Sequence, residues 1–120
     1  MRETLRDPGR LEHILTCIDN VQDFVAGKSY DDMSDNKMLF YAVVKNIEII
    51  GEAANSITKE LRQRHPEVEW AVIIGMRHVL VHDYYNIDSK TAWRTATKDL
   101  PALRPQIAAI LKELNNTNIQ

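Results

Sequence analysis

The chain has 120 residues, of which 44% are hydrophobic and 27% are charged, and its formal net charge is −2. This length predicts a single domain over residues 1–120, with a hydrophobic core of its own. The slight negative charge argues against a protein that coats nucleic acid non-specifically, because such binding needs many cations to neutralise phosphates. It leaves room for a small, local basic site.

The only cysteine, Cys17, can form no internal disulfide, which is typical of a reducing compartment. The longest apolar run, residues 70–76, is too short to cross a membrane. The first ten residues are polar and lack the apolar core of a signal peptide. We therefore expect a cytoplasmic protein without a membrane-spanning segment.

The first half of the chain predicts two helices joined by a loop. Apolar residues at helical spacing indicate a first helix from about Asp7 to Ala26, with Pro8 in its first turn. Residues 28–36 are rich in turn formers and are expected to be a connecting loop. A long second helix of about 28 residues is expected to begin at Asp35 and to end before Pro66.

The second half predicts further helices and no strand. A third helix should begin near Pro66 or Glu67 and end around His82, and Asp88 is a good N-cap for a fourth. A last helix should begin or kink at Pro101 or Pro105, and residues 115–120 are expected to form a frayed tail. The expected fold is an all-α, up-and-down bundle of four to five helices.

A glycine lies in the middle of the long second helix. Gly51 costs about 1 kcal/mol there relative to alanine, which a close approach of another helix would explain. The adjacent Glu52 is expected to pair with a cation of the third helix, with Arg77 as the obvious candidate. Asn46 lies among apolar residues and is either a satisfied core amide or a site residue; the sequence leaves both open.

The segment "RHVLVHDYY", residues 77–85, concentrates titratable and phosphate-binding side chains. Arg77 supplies a planar fork that matches phosphate oxygens, and His82 at a helix C-terminus can move a proton near neutral pH. RNA brings its own nucleophile, the 2′-hydroxyl, so an enzyme that cleaves it without a metal needs only proton transfer and charge stabilisation. Arg77 and His82 could supply these two functions. On one helix they point about 140° apart, so they converge only if the helix unwinds or a second subunit contributes.

Other interpretations of this segment stay open. His78 and His82 share one helix face at a spacing of four residues and could bind a metal, with Glu52 or Asp83 as a third ligand. The segment could also be a helix end with solvated polar groups. The basic run of residues 59–65 could interact with the helix dipole or help to hold RNA.

Residues 77–84 have the form Arg-x4-His-x-Tyr, and the chain resembles the HepT-like proteins of the HEPN superfamily. The similarity extends over almost the whole chain, in the blocks "RLEHIL", "KNIEIIGEAAN", "HPEVEWAVIIGMRHVLVHDYYNID" and "DLPALRPQI". One position departs from the common pattern, because many members have asparagine where this chain has His78. The motif residues Arg77, His82 and Tyr84 are unaffected by this change.

The resemblance implies an all-α HEPN fold, a homodimer, and a metal-independent ribonuclease that serves as the toxin of a type VII toxin–antitoxin pair, without a cofactor. The implied partner is an MntA-like nucleotidyltransferase antitoxin, which silences the toxin by transferring AMP to the motif tyrosine. Carried onto this chain, Arg77 and His82 would be the catalytic pair and Tyr84 the modified tyrosine. Asn46, Glu52, His78 and Asp83 are supporting candidates.

Two classes of function follow from these observations. The first is an RNA-cleaving toxin in which the motifs of two protomers form one cleft. The second is a non-catalytic helical partner that binds or regulates a minimal nucleotidyltransferase. The complete motif favours the first, whereas the mild acidity of the chain leans toward the second.

Overall fold

The protein is an all-α bundle. The structure, a computed structural model, describes the backbone of residues 2–82 and 88–119 and the side chains of residues 6–77 and 88–116, and contains no strand within these ranges. The helices, in chain order, are α1 (Arg2–Val25), α2 (Tyr30–Ser34), α3 (Lys37–Ser56), α4 (Lys59–Arg64), α5 (Trp70–His82), α6 (Ser89–Arg94) and α7 (Leu100–Ile119). A π-helical turn, Thr95–Asp99, joins α6 to α7.

The four long helices pack in the order α7–α1–α3–α5. Contacts between distant residues show that α1 is antiparallel to α3, because Asp7 bonds Thr58 just beyond the C-terminal end of α3, whereas Asn20 bonds Asn46 near its middle. Asp19 and Gln22 likewise bond Arg104 and Ala96 of the α7 side. The expected all-α, up-and-down arrangement is therefore confirmed.

The core lies along the faces that the apolar periodicity predicts. Most of the large, fully buried side chains come from α1, α2, α3 and α7, and they include Leu11, Ile14, Ile18, Val21, Met33, Val43, Ile47, Ile50, Leu100, Ile107 and Ile110. Cys17 is buried among them, and burial raises the pKa of its thiol because the charged thiolate loses solvation. It therefore serves as a small hydrophobic residue, as its position on α1 suggests.

The prediction of one long second helix is wrong. α3 ends at Ser56, Ile57 and Thr58 are extended, and α4 begins at Lys59. The cause is a tertiary contact, since the buried carboxylate of Asp7 accepts hydrogen bonds from the Thr58 backbone N (3.1 Å) and hydroxyl (2.6 Å). The same hydroxyl accepts from the Leu61 backbone N and caps α4.

The loop predicted for residues 28–36 contains the short helix α2. Its N-cap, Ser29, forms a capping box in which the Ser29 hydroxyl accepts from the Asp32 backbone N and the Asp32 carboxylate accepts from the Ser29 backbone N. Hydrogen bonding by Ser29, from its backbone N first of all, stabilises the charged carboxylate and lowers the pKa of Asp32. The Ser-x-x-Asp spacing is the sequence signal for this helix.

Three other predicted boundaries differ in detail. α1 begins at Arg2, so Pro8 lies inside it instead of in its first turn, and α5 begins at Trp70, after a turn that includes Pro66. The last helix is predicted to begin or kink at Pro101 or Pro105. It begins at Leu100, directly after the π-helical turn Thr95–Asp99. A proline cannot donate to the carbonyl four residues back and its ring crowds that carbonyl, which favours a wider turn.

Of two predictions about helix ends, one is confirmed and one stays a prediction. Asp88 caps α6 as predicted, its Oδ1 accepting from the backbone N atoms of Lys90 and Thr91. α7 is helical to Ile119, and whether residues 115–120 fray in solution stays a prediction. Within residues 2–82 and 88–119, no helix combines the length and apolar character that a bilayer-spanning segment requires.

Candidate active site

The predicted site lies on α5 and the segment that follows it. Of the predicted catalytic pair, the structure describes the side chain of Arg77, whereas for His82 and the neighbouring His78 it describes only helical backbone. Asp83 and Tyr84 lie outside the described residues. The distance between Arg77 and His82, and the predicted role of Tyr84, therefore stay predictions.

Arg77 is positioned by a close crossing of α3 and α5. Gly51 is buried at this crossing, and a Cβ added to it would lie 3.0 Å from the Arg77 Cβ and 3.1 Å from the backbone oxygen of Ile73. Both distances are shorter than ordinary van der Waals contact, and the second involves backbone that cannot move aside. The helix approach predicted from Gly51 is confirmed, and it determines where the Arg77 side chain leaves α5.

The ion pair expected between Glu52 and Arg77 is not formed among the described side chains. Glu52 is exposed and makes no ion pair with any residue whose side chain the structure describes. Its position explains this, because Gly51 faces α5 and the next residue on a helix points about 100° away. Glu52 follows Gly51 in the sequence, but its side chain therefore does not point into the α3–α5 crossing.

Asn46 is half-buried between α1 and α3. Its Nδ2 donates to the backbone oxygen of Ala42 (2.8 Å), and its Oδ1 accepts from the Asn20 Nδ2 (3.3 Å). The amide nitrogen and oxygen of Asn46 thus both have protein partners, and the bond to Asn20 links α1 with α3. These bonds are those of a structural amide, and a further role of Asn46 at the site stays a prediction.

The metal alternative depends on side chains that are not described. Among the described side chains, no group of three or more His, Cys, Asp and Glu residues is placed to hold a metal ion. His78, His82 and Asp83, three of the proposed ligands, are not among them, so the alternative is not tested. The remaining candidate, Glu52, belongs to no such group within the described part of the chain.

α5 has more apolar surface than the bundle covers. Trp70 and Ile73 are buried, but Ala71 is exposed and Val72 is 54% exposed. A helix that is apolar on nearly all sides is normally buried on nearly all sides. The uninterrupted apolar run of residues 70–76 was the sequence signal for this second face, which periodicity alone does not identify.

Grooves lie on both sides of α5. The groove between α5 and α4 has a volume of about 570 Å³ and is lined by Asn55, Lys59, Arg62, Gln63, Trp70, Ala71, Ile74 and Gly75. A groove of about 380 Å³ toward α7 is lined by residues that include Glu67, Glu69 and Asp99. A third, of about 360 Å³, contains Arg94 and Asp99 in its lining.

The charges of these linings differ in sign. The α4–α5 groove has two cations, Lys59 and Arg62, and no acidic residue in its lining, whereas the groove toward α7 has three acidic residues and no cation. A hydrogen bond from its own backbone N, and to a lesser extent the neighbouring His65, lowers the pKa of Glu67, so this carboxylate stays charged. Anionic ligands are therefore favoured on the α4 side of α5 and disfavoured on the α7 side.

The pKa of Asp88, at the start of α6, is lowered as well. Its carboxylate accepts hydrogen bonds from the Thr91 hydroxyl (2.7 Å) and from backbone N atoms of the first turn. A charged carboxylate at this helix N-terminus stabilises α6 through the cap. Asp88 thus anchors the chain directly after the candidate site.

The family model for "Ribonuclease HepT-like" matches residues 14–110 of the chain. A protein of Caldanaerobacter subterraneus subsp. tengcongensis, named as a candidate RNase, is 38% identical over 103 residues, which cover 86% of this chain and 92% of that protein. A protein of Methanocaldococcus jannaschii, also named as a candidate RNase, is 34% identical over 104 residues, covering 87% and 90% of the two chains.

A third relative is named as a candidate ribonuclease HepT. This protein of Thermococcus cleftensis is 31% identical over 102 residues, which cover 85% of this chain and 93% of the relative. No solved structure matches the chain significantly. The matched region of the family model contains the α3–α5 crossing and all of α5, and with the identities over most of each relative it shows that the chain belongs to the HepT-like ribonuclease family.

Proposed function

We propose that this protein is an endoribonuclease that cleaves RNA without a metal ion, with Arg77 and His82 as catalytic residues. The observation that carries the proposal is the α3–α5 crossing, which holds the backbone and Cβ of Arg77 against Gly51 in a chain of the HepT-like ribonuclease family. Fixing the point at which the Arg77 side chain leaves α5 reduces the reorganisation that its guanidinium needs when charge develops on a phosphate.

In the proposed reaction the 2′-oxygen of RNA attacks the adjacent phosphorus and the bond to the 5′-oxygen breaks. His82 moves the proton, taking it from the 2′-hydroxyl and delivering it to the departing 5′-oxygen, so that a 2′,3′-cyclic phosphate and a free 5′-hydroxyl result. Arg77 stabilises the additional negative charge on the phosphorane oxygens with its planar fork of donors. The reaction needs no external nucleophile, and we propose that it needs no metal.

We also propose that the protein acts as a cytoplasmic homodimer. The exposed Val72 and Ala71 on α5 support an interface, because an apolar helix face left in water favours association. A second copy packed along α5 would bring the partner's motif close to this one. Arg77 and His82 point in different directions on one helix, and in this arrangement Arg77 of one copy could act together with His82 of the other.

The biological role that we propose is that of a toxin in a toxin–antitoxin pair. An MntA-like nucleotidyltransferase would transfer AMP from ATP to the hydroxyl oxygen of Tyr84 and release pyrophosphate. The bulky, negatively charged nucleotide, two residues from His82, would fill the cleft and repel RNA phosphates, as other charge-adding modifications do. The family resemblance supports this role, and the membership in the HepT-like ribonuclease family is consistent with it.

The deciding experiment incubates purified protein with RNA in EDTA, beside a His82→Ala variant, after intact-mass analysis has shown that Tyr84 is unmodified. Cleavage by the wild type alone supports a metal-independent nuclease in which His82 acts. Cleavage that EDTA abolishes would point to the metal alternative at His78 and His82. No cleavage by either protein would favour the non-catalytic partner of a nucleotidyltransferase.

A further inference from the structure

We propose that the groove between α4 and α5 holds the single-stranded RNA next to the scissile phosphate, with Lys59 and Arg62 contacting its phosphates. This inference rests on the proposed ribonuclease function and adds the path of the substrate outside the catalytic motif. It assigns a role to the basic run of residues 59–65, for which the sequence leaves two interpretations open.

The first argument is charge complementarity. The lining of this groove contains Lys59 and Arg62 and no acidic side chain, whereas the groove on the opposite side of α5 contains Glu67, Glu69 and Asp99. RNA carries one negative charge per nucleotide, so its affinity for a surface depends on the cations that neutralise phosphates. Because the whole chain has a net charge of −2, it does not attract RNA everywhere. RNA should therefore follow a surface where the local charge is positive, as it is in this groove.

The second argument is that these two cations are available. In the same run, Arg64 pairs with Glu113 (3.5 Å) and His65 contacts Glu67 (3.1 Å). Lys59 and Arg62 make no ion pair with any side chain in the described part of the chain. Their charges are therefore not neutralised by the carboxylates that surround the rest of the run.

The third argument is an unsatisfied donor on Arg62, a residue that lines the groove. The Arg62 Nε is buried and has no hydrogen-bond partner among the described residues. A buried N–H without a partner costs free energy, so such groups are rare unless a water, an ion or a ligand completes them. A rotation of the Arg62 side chain toward the groove would expose this N–H, and a phosphate oxygen of a bound strand would then accept its hydrogen bond.

The fourth argument is position. Ile74 in the groove precedes Arg77 by three residues on α5, and Asn55 follows Gly51 by four residues on α3. Residues three or four apart are neighbours on a helix surface. Because Gly51 and Arg77 are themselves in contact, the groove begins about one helical turn from the candidate catalytic arginine. A strand that leaves Arg77 on this side enters the groove directly.

The test measures binding of a fluorescein-labelled single-stranded RNA oligonucleotide by anisotropy, in a His82→Ala background that prevents cleavage. The groove variant is Lys59→Gln with Arg62→Gln, and the matched control is Lys98→Gln with Lys112→Gln. Lys98 and Lys112 are exposed and absent from the groove lining, so both variants change the net charge equally. Urea unfolding of each variant verifies that it is folded.

The expected result is a change in salt dependence. Removing two phosphate contacts should reduce the slope of log affinity against log salt by about 1.4, since each contact to a single strand contributes roughly 0.7. Between 50 and 200 mM salt, the parent protein should therefore lose about 7-fold more affinity than the groove variant. The control variant should retain the slope of the parent.

Equal slopes for the groove and control variants, or no RNA binding by the parent, would overturn the proposal. Cleavage by wild-type protein tests the ribonuclease function separately, so a cleaving enzyme with an unaffected groove variant would disprove only the groove. A groove variant that binds RNA like the parent but no longer receives AMP on Tyr84 would assign the groove to the nucleotidyltransferase instead.

Discussion

Gly51 of α3 lies so close to Arg77 of α5 that a methyl group at position 51 would be 3.0 Å from the Arg77 Cβ. The glycine that weakens α3 locally is therefore what permits α5, and with it the candidate catalytic arginine, to reach its position. Local helix propensity and site geometry make opposite demands at this residue. The geometry prevails because the two helices bury their apolar faces against each other.

Replacing Gly51 with alanine should therefore weaken both the fold and RNA cleavage. The gain of about 1 kcal/mol in helix propensity is opposed by overpacking of about 1–3 kcal/mol, so we expect a net loss of free energy of unfolding of about 1 kcal/mol. Displacement of Arg77 should lower kcat/KM for RNA by on the order of 10- to 100-fold.

Urea unfolding and cleavage rates measure the two effects of this substitution. The control is Gly9→Ala, since a Cβ at Gly9 in α1 would meet no atom within 4 Å. That variant should be as stable as the wild type or more stable, and fully active. A Gly51→Ala variant with unchanged stability and activity would show that α3 and α5 can move apart without cost and that their crossing does not position Arg77.

Arg77→Lys should retain the fold and lose most of the activity. Lysine keeps the positive charge but not the planar fork that can donate to two phosphate oxygens at once. We expect kcat for RNA cleavage to fall on the order of 10²- to 10³-fold, the range seen when one donor to a developing charge is lost. Arg94→Lys, at an exposed arginine of α6, is the matched control and should cleave normally.

If Arg77→Lys cleaved RNA at the wild-type rate, a point charge at position 77 would suffice and the fork would have no catalytic role. Single-turnover kinetics should be used for this comparison. They separate the chemical step from RNA binding and product release.

The contact between Asp7 and Thr58 should contribute strongly to stability. Asp7 is 2% exposed and receives two hydrogen bonds from Thr58, and hydrogen bonds to charged groups contribute about 1.5–3 kcal/mol each. We expect Asp7→Ala to lower the free energy of unfolding by about 2–4 kcal/mol. Asp23→Ala, at an exposed position of α1, should change it by less than about 0.5 kcal/mol.

A double-mutant cycle with Thr58→Ala assigns this effect to the contact. The coupling energy between positions 7 and 58 should lie between about 0.5 and 3 kcal/mol, because Thr58→Ala removes the hydroxyl that donates to the Asp7 carboxylate. Strictly additive losses would mean that Asp7 contributes to stability for a reason other than its bond to the Thr58 hydroxyl. Urea unfolding monitored by circular dichroism gives all four free energies.

The ion pair between Asp19 and Arg104 should make stability depend on pH at the acidic end. Arg104 donates to both carboxylate oxygens, at 2.7 and 3.1 Å, and these hydrogen bonds lower the pKa of Asp19. A carboxylate with a lowered folded-state pKa contributes stability that is present above its unfolded pKa of about 3.9 and is lost as the pH falls through the folded pKa.

The difference in stability between wild type and Asp19→Asn should therefore be small but measurable at pH 7. It should disappear as the pH is lowered below about 3.9 and through the folded pKa. The effect should be modest because both side chains are about half exposed. Asp23→Asn should show no such pH dependence, and a difference that persisted unchanged at the lowest pH would contradict the ion pair as its cause.

Much of the fold follows from local patterns in the sequence. The apolar spacing predicts α1, α3, α5 and α7 as helices, and Asp88 predicts the start of α6, because these signals act within a few residues of each other. Gly51 predicts the close helix crossing for the same kind of reason. The Ser29 capping box is an equally local signal for α2. The turn-forming residues around it favoured the prediction of a loop instead.

Only the tertiary structure decides what depends on residues far apart in the chain. The break between α3 and α4 follows from the Asp7–Thr58 contact, which joins positions separated by 51 residues, and no periodicity within the helix foretells it. The acidic side of α5 likewise combines Glu67 and Glu69, just before α5, with the distant Asp99 of the π-helical turn, and its basic side has the cations of α4. Sequence alone determines which residues can form helices and which are candidates for RNA cleavage, whereas packing determines where those helices end and which charges share a surface.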